Sequence, residues 1–250
     1  MRESTPGTDS PQSLTARAID ALLFSGAWVA LAAASLTAAS FRVFGAAPQP
    51  PAVALAFLGT LAVYAIDRLR DLDRDRATAP LRSAFVARHR RALTAIAFAS
   101  GIASVACAES AGPRAIAISG VVLTIGLLHR RLKRLSMGKP VYLVFAWLAV
   151  VVALPAAIVP SAANAGFAAM VLAPALFANV AASRSLGVAR GLALLGIALA
   201  CAAPSSVRPL GAVALATGVA LLRFRRTEHY GLGILDGALT AGALATLMML

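Results

Sequence analysis

Three carboxylates, Asp67, Asp71 and Asp75, follow one another at four-residue spacing in the stretch YAIDRLRDLDRD, residues 64–75. On a helix that spacing sets them along one stripe, drifting by about 40° per step, while Asp73 points to another face. Carboxylates so aligned repel one another unless a cation or arginines neutralise them. Magnesium suits such a place. It is a hard ion that takes one or two carboxylates, keeps some of its waters and accepts phosphate oxygens as further ligands. Arg68, Arg70, Arg74, Arg76 and Arg82 lie close by in sequence, and guanidinium groups match phosphate oxygens in a bidentate manner. The chemistry these residues permit is metal-assisted handling of a diphosphate. The competing reading is a solvated, self-neutralised loop, whose Asp–Arg pairs stabilise its helix by about 0.2–0.5 kcal/mol each.

The elements that must position this cluster are apolar. Of the 250 residues, 60% are hydrophobic and 13% charged, and the mean hydropathy is +0.81. Soluble domains run nearer half apolar and a quarter charged, so the composition is that of an integral membrane protein. Apolar runs broken by Pro, Gly or charge fall at 19–44, 50–66, 92–108, 114–128, 141–159, 165–182, 191–203, 208–222 and 230–250. A bilayer needs about 20 apolar residues per helix, and shorter helices are tolerated inside a bundle. The expected architecture is therefore all-α, with about nine transmembrane helices in one polytopic domain over 19–250 and a flexible tail over 1–18. The first run lacks a convincing cleavage site and reads as a retained helix.

The net charge of +13 would suggest nucleic acid in a soluble protein. Here aromatic residues are few and no basic surface is interleaved with stacking side chains, which argues against nucleic-acid binding. Orientation in the bilayer accounts for the charge instead. With a cytoplasmic N-terminus, the inside segments 1–18, 67–91, 129–140, 183–190 and 223–229 hold 20 of the 23 Lys and Arg residues. Arg42, Arg114 and Arg208 are left on the other side, one per loop. The pattern reads as N-in and C-out, with the acidic cluster on the cytoplasmic face of a bacterial-type inner or plasma membrane. Asp67 then sits where its apolar run stops, a position at which ionisable groups are usually functional. A second basic segment, HRRLKRLSMGK from His129 to Lys139, lies on the same side. Cys107 and Cys201 stand alone in apolar runs, with no metal-ligand spacing, and read as small buried apolar side chains.

DRLRD followed by APLR resembles the first aspartate-rich motif of the UbiA superfamily of intramembrane prenyltransferases. Asp67 and Asp71 match the motif's aspartates, Pro80 and Arg82 resemble its Pro/Arg signature, and Val63 stands where the family's asparagine is usual. The resemblance implies nine transmembrane helices around a central cavity, with the motifs on the cytoplasmic side. It also implies magnesium on Asp67 and Asp71. The family's Tyr-x-x-x-Lys element places Lys133 on the lysine and His129 at the tyrosine position, beside Arg134. On that basis Asp67, Asp71 and Lys133 would carry catalysis, while Arg68, Asp75, Arg82, His129 and Arg134 would contact the substrate.

The family's second aspartate motif, at the end of the sixth helix, is where the chain departs. The stretch FANVAASRSLGVARG, anchored on Gly187, puts Asn179 and Ser183 where the two aspartates belong. Their oxygens can ligate but bring no charge, and Arg184 adds repulsion to any metal there. Asp236, in the ninth run, either compensates or serves as a hydrogen-bonded partner for a neighbouring helix.

Three functions compete. In the first, a prenyltransferase ionises an allylic isoprenyl diphosphate with magnesium assistance and alkylates a lipophilic acceptor inside a water-poor bundle, or cyclises the same diphosphate. In the second, a catalytically degenerate relative binds isoprenoid lipid or partners another membrane enzyme. The third, a small transporter, expects mid-membrane charges that only Asp236 supplies.

Overall fold

The run before the aspartates forms α3, Pro50–Arg70, which starts on two prolines in its first turn, where a missing N–H costs nothing. The computed structural model describes residues 14–132 and 138–250, with the side chains of 127–132, 138 and 139 left out of the description. Every regular element among the described residues is helical. Each of the nine apolar runs coincides with helix, and two interfacial pieces, α4 (Leu72–Asp75) and α5 (Pro80–Arg88), follow α3. The later helices are α6 (Arg90–Ala111), α7 (Pro113–Leu132), α8 (Gly138–Leu148), α9 (Leu154–Ile158), α10 (Ala165–Ala181), α11 (Leu186–Ala202), α12 (Gly211–Leu222) and α13 (Asp236–Met249). Short π-helical stretches, Ala149–Ala153 and Tyr230–Leu235, lead into α9 and α13.

Four helical stretches are long and apolar enough to cross a membrane: Pro50–Arg70, Arg90–Ala111, Pro140–Ile158 and Tyr230–Met249. A fifth is reached if the bent pair α1 (Leu14–Ser25) and α2 (Ala27–Val43) counts as one span. The remaining runs form shorter apolar helices. Between 22% and 39% of these four windows is buried by the protein itself, so most of their apolar surface must be covered by something else. Phe98, Ile102 and Val105 on α6 are 71%, 72% and 59% exposed along one stripe. Water would not tolerate such a face repeated around the molecule, and lipid does.

The first run was expected as one helix, and it is two, meeting at 64°. The cause is local. Gly26 has φ +92, a left-handed conformation that side chains disfavour. Ser25 Oγ accepts the Ala27 N–H there at 3.2 Å. A Cβ on Gly26 would come within 3.0 Å of Tyr64 Cβ, so α3 passes close to the kink. Helix α1 covers residues 14–18 of the segment read as a tail. Cys201, read as buried, is exposed on the isolated chain, and Cys107 is partly buried.

Neighbours in sequence pack on one another: α2 on α3, α3 on α6, α6 on α7, α10 on α11, α11 on α12 and α12 on α13. The chain then closes on itself, because α13 packs against α2. Small residues permit this closeness, as in other helix contacts made without a hydrophobic drive. Gly242 on α13 lies so near α12 that an added Cβ would fall 2.8 Å from Val213 N.

Polar contacts collect at the two ends of the bundle. At one end, Glu228 accepts the Leu81 and Arg82 N–H groups at 3.0 Å each, capping α5. His229 bonds Asp20 of α1 at 2.8 Å and stacks edge-on against Phe24. At the other end, Arg114 donates to the Ala157 carbonyl at 2.9 Å, Arg208 to that of Ala203 at 3.0 Å, and Asn164 to Ser206 Oγ at 2.9 Å.

Candidate functional site

The end of α3 holds the acidic cluster. The helix is interrupted at Asp71, whose backbone sits at φ −94, ψ 6, so the three carboxylates do not share one unbroken helix. Their one-turn spacing nevertheless persists: Asp71 N–H bonds the Asp67 carbonyl and Asp75 N–H bonds that of Asp71, both at 2.9 Å. Asp67 is exposed and Asp71 half-buried, and both act electrostatically on Tyr142 of α8. Asp75 is taken by Arg82, whose Nη2 lies 2.5 Å from its carboxylate. Arg82 is thus tied twice, by its backbone to Glu228 and by its side chain to Asp75. Asp73 pairs with Arg76 at 3.3 Å in full exposure, a contact of little energetic weight.

Arg68 is the unusual member. It is 6% exposed, and its Nε and Nη1 are buried without a hydrogen-bond partner among the described residues. The side chain turns back along α3 towards the kink, where its Nε would lie 3.9 Å from a Cβ on Gly26. Asp67, Asp236, Tyr64 and the like-charged Arg82 all lie within its electrostatic reach. A buried guanidinium with unmet donors is costly, and folding alone gives no reason to keep it.

Deeper in the bundle, Asn179 of α10 donates from Nδ2 to Asp236 Oδ1 at 3.1 Å. The pair lines a partly open chamber of about 30 Å³ together with Tyr64, Leu143, Val144, Trp147, Leu176, Val180 and Leu239. Four helical stretches supply it: α3, α8, α10 and the start of α13. Tyr64 stands one turn before Arg68 on α3, which joins the chamber to the charged end.

Of the residues singled out from sequence, Asp67, Arg68, Asp71, Asp75 and Arg82 fall together, from the end of α3 through α4 to the start of α5. Asn179 belongs to the chamber and meets Asp236. Ser183 does not join it: it is exposed in the turn after α10, because the helix ends at Ala181 before reaching it. Lys133 and Arg134 lie outside the described residues, and so does the side chain of His129. Tyr64, Tyr142, Trp147 and Glu228 are additions that sequence reasoning missed. The aromatic residues sit inside apolar runs with nothing to distinguish them, and Glu228 lies 146 residues from the amide it caps.

Among the described residues no three His, Cys, Asp or Glu side chains converge as a metal cage. Asp67 and Asp71, one turn apart, fit the looser demand of magnesium, which uses one or two carboxylates and completes its shell with water and substrate phosphate. Comparison of the chain with protein-family models, with curated proteins and with solved structures finds no match in any of the three.

Proposed function

We propose that the chain is a membrane prenyltransferase of the UbiA-superfamily type, which transfers an isoprenyl group from an allylic diphosphate to a lipophilic acceptor. The observation that carries this reading is Arg68, a buried guanidinium with two unpartnered nitrogens beside Asp67 and Arg82. An anion is what such a group lacks. A diphosphate would satisfy it and would draw its metal from the adjacent carboxylates.

In this reading the nine apolar helices all cross the membrane, N-in and C-out. The contacts support it: the basic segments 67–91 and 223–229 meet at one end through Glu228, and Arg114 and Arg208 bond carbonyls near the other. Asp67 and Asp71 would hold magnesium arriving with the diphosphate, which offsets the charge that develops on the leaving group. Arg68 donates to the diphosphate and Arg82, held by Asp75, adds positive potential beside it. The aromatic and aliphatic wall formed by Tyr64, Trp147, Leu143 and Leu176 excludes water from the allylic carbon.

The test is release of diphosphate from geranyl, farnesyl or geranylgeranyl diphosphate by purified protein with magnesium, beside the Asp67→Ala/Asp71→Ala variant. Release that the variant abolishes is the expected result, and no release from any donor overturns the reading. A non-catalytic isoprenoid-lipid binder is the second reading, favoured by Ser183 lying in the open and Asn179 carrying no charge. It predicts lipid binding without turnover in the same preparation.

A further inference from the structure

The junction of α5 and α6 carries Arg88, His89, Arg90 and Arg91 in succession, and all four are exposed. Between Asp75 and Glu109 the chain has five arginines and no acid. Asp75 is already held by Arg82, and Glu109 stands at the opposite end of α6. Among the described residues Arg88, Arg90 and Arg91 have no ion-pair partner. His89 is fixed beside them by stacking on Phe85, with ring centroids 4.5 Å apart. Orienting the chain in a bilayer requires basic residues on one side, but it does not require them on any particular face of a helix.

The face is what α6 specifies. At 100° per residue, Arg91 lies within about 40° of the line through Phe98, Ile102 and Val105, the exposed apolar stripe that lipid must cover. The depth fits as well. Helix α6 has 22 residues, so with its centre at the bilayer midplane the Arg91 Cα stands about 14 Å out. That is close to the edge of a hydrocarbon half-layer of about 15 Å, from which an arginine reaches outward to the phosphates. Phe98 lies about 10 Å deeper on the same face.

We infer that the α5–α6 junction and the α6 stripe form a binding site for a phospholipid of net negative charge. Its phosphate meets Arg91, with Arg88 and Arg90 adding positive potential, and its acyl chain lies along Phe98 and Ile102. A zwitterionic headgroup fits less well, because its cationic part finds no acid here. A magnesium diphosphate lacks the carboxylate that would share its metal, and a soluble phosphate leaves the stripe uncovered. The site needs only a membrane around α6, whatever the acidic cluster at the end of α3 does.

In the experiment, full-length protein in a mild detergent is titrated with phosphatidylglycerol or phosphatidylcholine of identical acyl chains. Native mass spectrometry counts the bound lipid. Wild-type protein is expected to hold phosphatidylglycerol at least about tenfold more tightly, and Arg91→Gln to lose about fivefold of that. Arg88→Gln/Arg90→Gln/Arg91→Gln is expected to abolish the preference. Arg223→Gln/Arg225→Gln/Arg226→Gln removes the same charge from another exposed segment and is expected to keep it. Equal affinity of the wild type for both lipids overturns the site, and so does equal loss in the two triple variants, which would mean diffuse charge. Competition by glycerol phosphate at the lipid's concentration overturns it too, since a soluble phosphate would then be ligand enough. Where the triple variants fail to insert, wild-type protein with an acyl-photoreactive phosphatidylglycerol decides. Crosslinks are expected on α6 between Arg91 and Val105 and are displaced by phosphatidylglycerol, whereas labelling confined to other helices refutes the site.

Discussion

Replacing Gly242 by alanine tests the packing that closes the bundle. On α13 the new Cβ would overlap Val213 Cα and lie 2.8 Å from Val213 N and 2.9 Å from the Ala212 carbonyl. Ordinary contact starts near 3.4 Å, so the gap is short by at least half an ångström against backbone atoms that cannot rotate aside. One helix must therefore move. Overpacking of a filled core costs about 1–3 kcal/mol, and a rigid backbone neighbour puts this case near the top of that range. Gly120 on α7 supplies the opposite case: nothing lies within 4 Å of its added Cβ. There alanine gains its helix-propensity advantage of about 0.8–1.0 kcal/mol over glycine. The two substitutions are chemically identical and are expected to differ by about 4 kcal/mol with opposite signs. Thermal unfolding in a mild detergent, followed by circular dichroism, reads both. A Gly242→Ala protein that melts with or above the wild type would refute the close approach of α12 and α13.

Glu228→Ala should free the Leu81 and Arg82 amides and loosen α5 by about 1–2 kcal/mol, seen as faster hydrogen exchange over residues 80–88 with little change in α6. Ile102→Lys places a charge on the exposed α6 stripe and should oppose insertion by about 2.5–3.5 kcal/mol. The inserted fraction in a translocation assay measures this, and an unchanged fraction would mean that the stripe does not face lipid. Arg68→Met removes two unpartnered buried nitrogens, each a penalty of about 1–3 kcal/mol, while giving up attraction to Asp67 and Asp236. The melting temperature is expected to hold or rise as protection by magnesium pyrophosphate disappears. A fall of several degrees would make Arg68 a structural counter-ion.

The helices were readable from the chain because apolar runs and their charged borders differ sharply in polarity. Asp67, Asp71 and Arg82 were readable for the same reason, as charges set against an apolar background. The kink at Gly26 was hidden, since hydropathy does not change across SGAW while the backbone sign of one residue does. The chamber was hidden more thoroughly. Asp236 stands out as a lone acid in its run, but nothing local pairs it with Asn179, 57 positions earlier. Tyr64, Trp147 and Tyr142 are ordinary members of apolar segments until helix packing turns them inward. Ser183 shows the reverse error: correct spacing from a glycine, on a helix that stops two residues too soon.

The Glu228 cap bears on how the protein is made. Leu81 and Arg82 leave the ribosome long before the carboxylate that holds them, with 146 residues separating Arg82 from Glu228. At about 5–20 residues per second that interval lasts roughly 7–30 s, during which the start of α5 has no such partner. His229, the next residue, fastens α1 in the same way. That end of the bundle is therefore completed last, by the turn that joins α12 to the stretch leading into α13. A chain in which that turn failed to dock would leave α1 and α5 unfastened, which gives quality-control proteases an exposed basic segment to recognise.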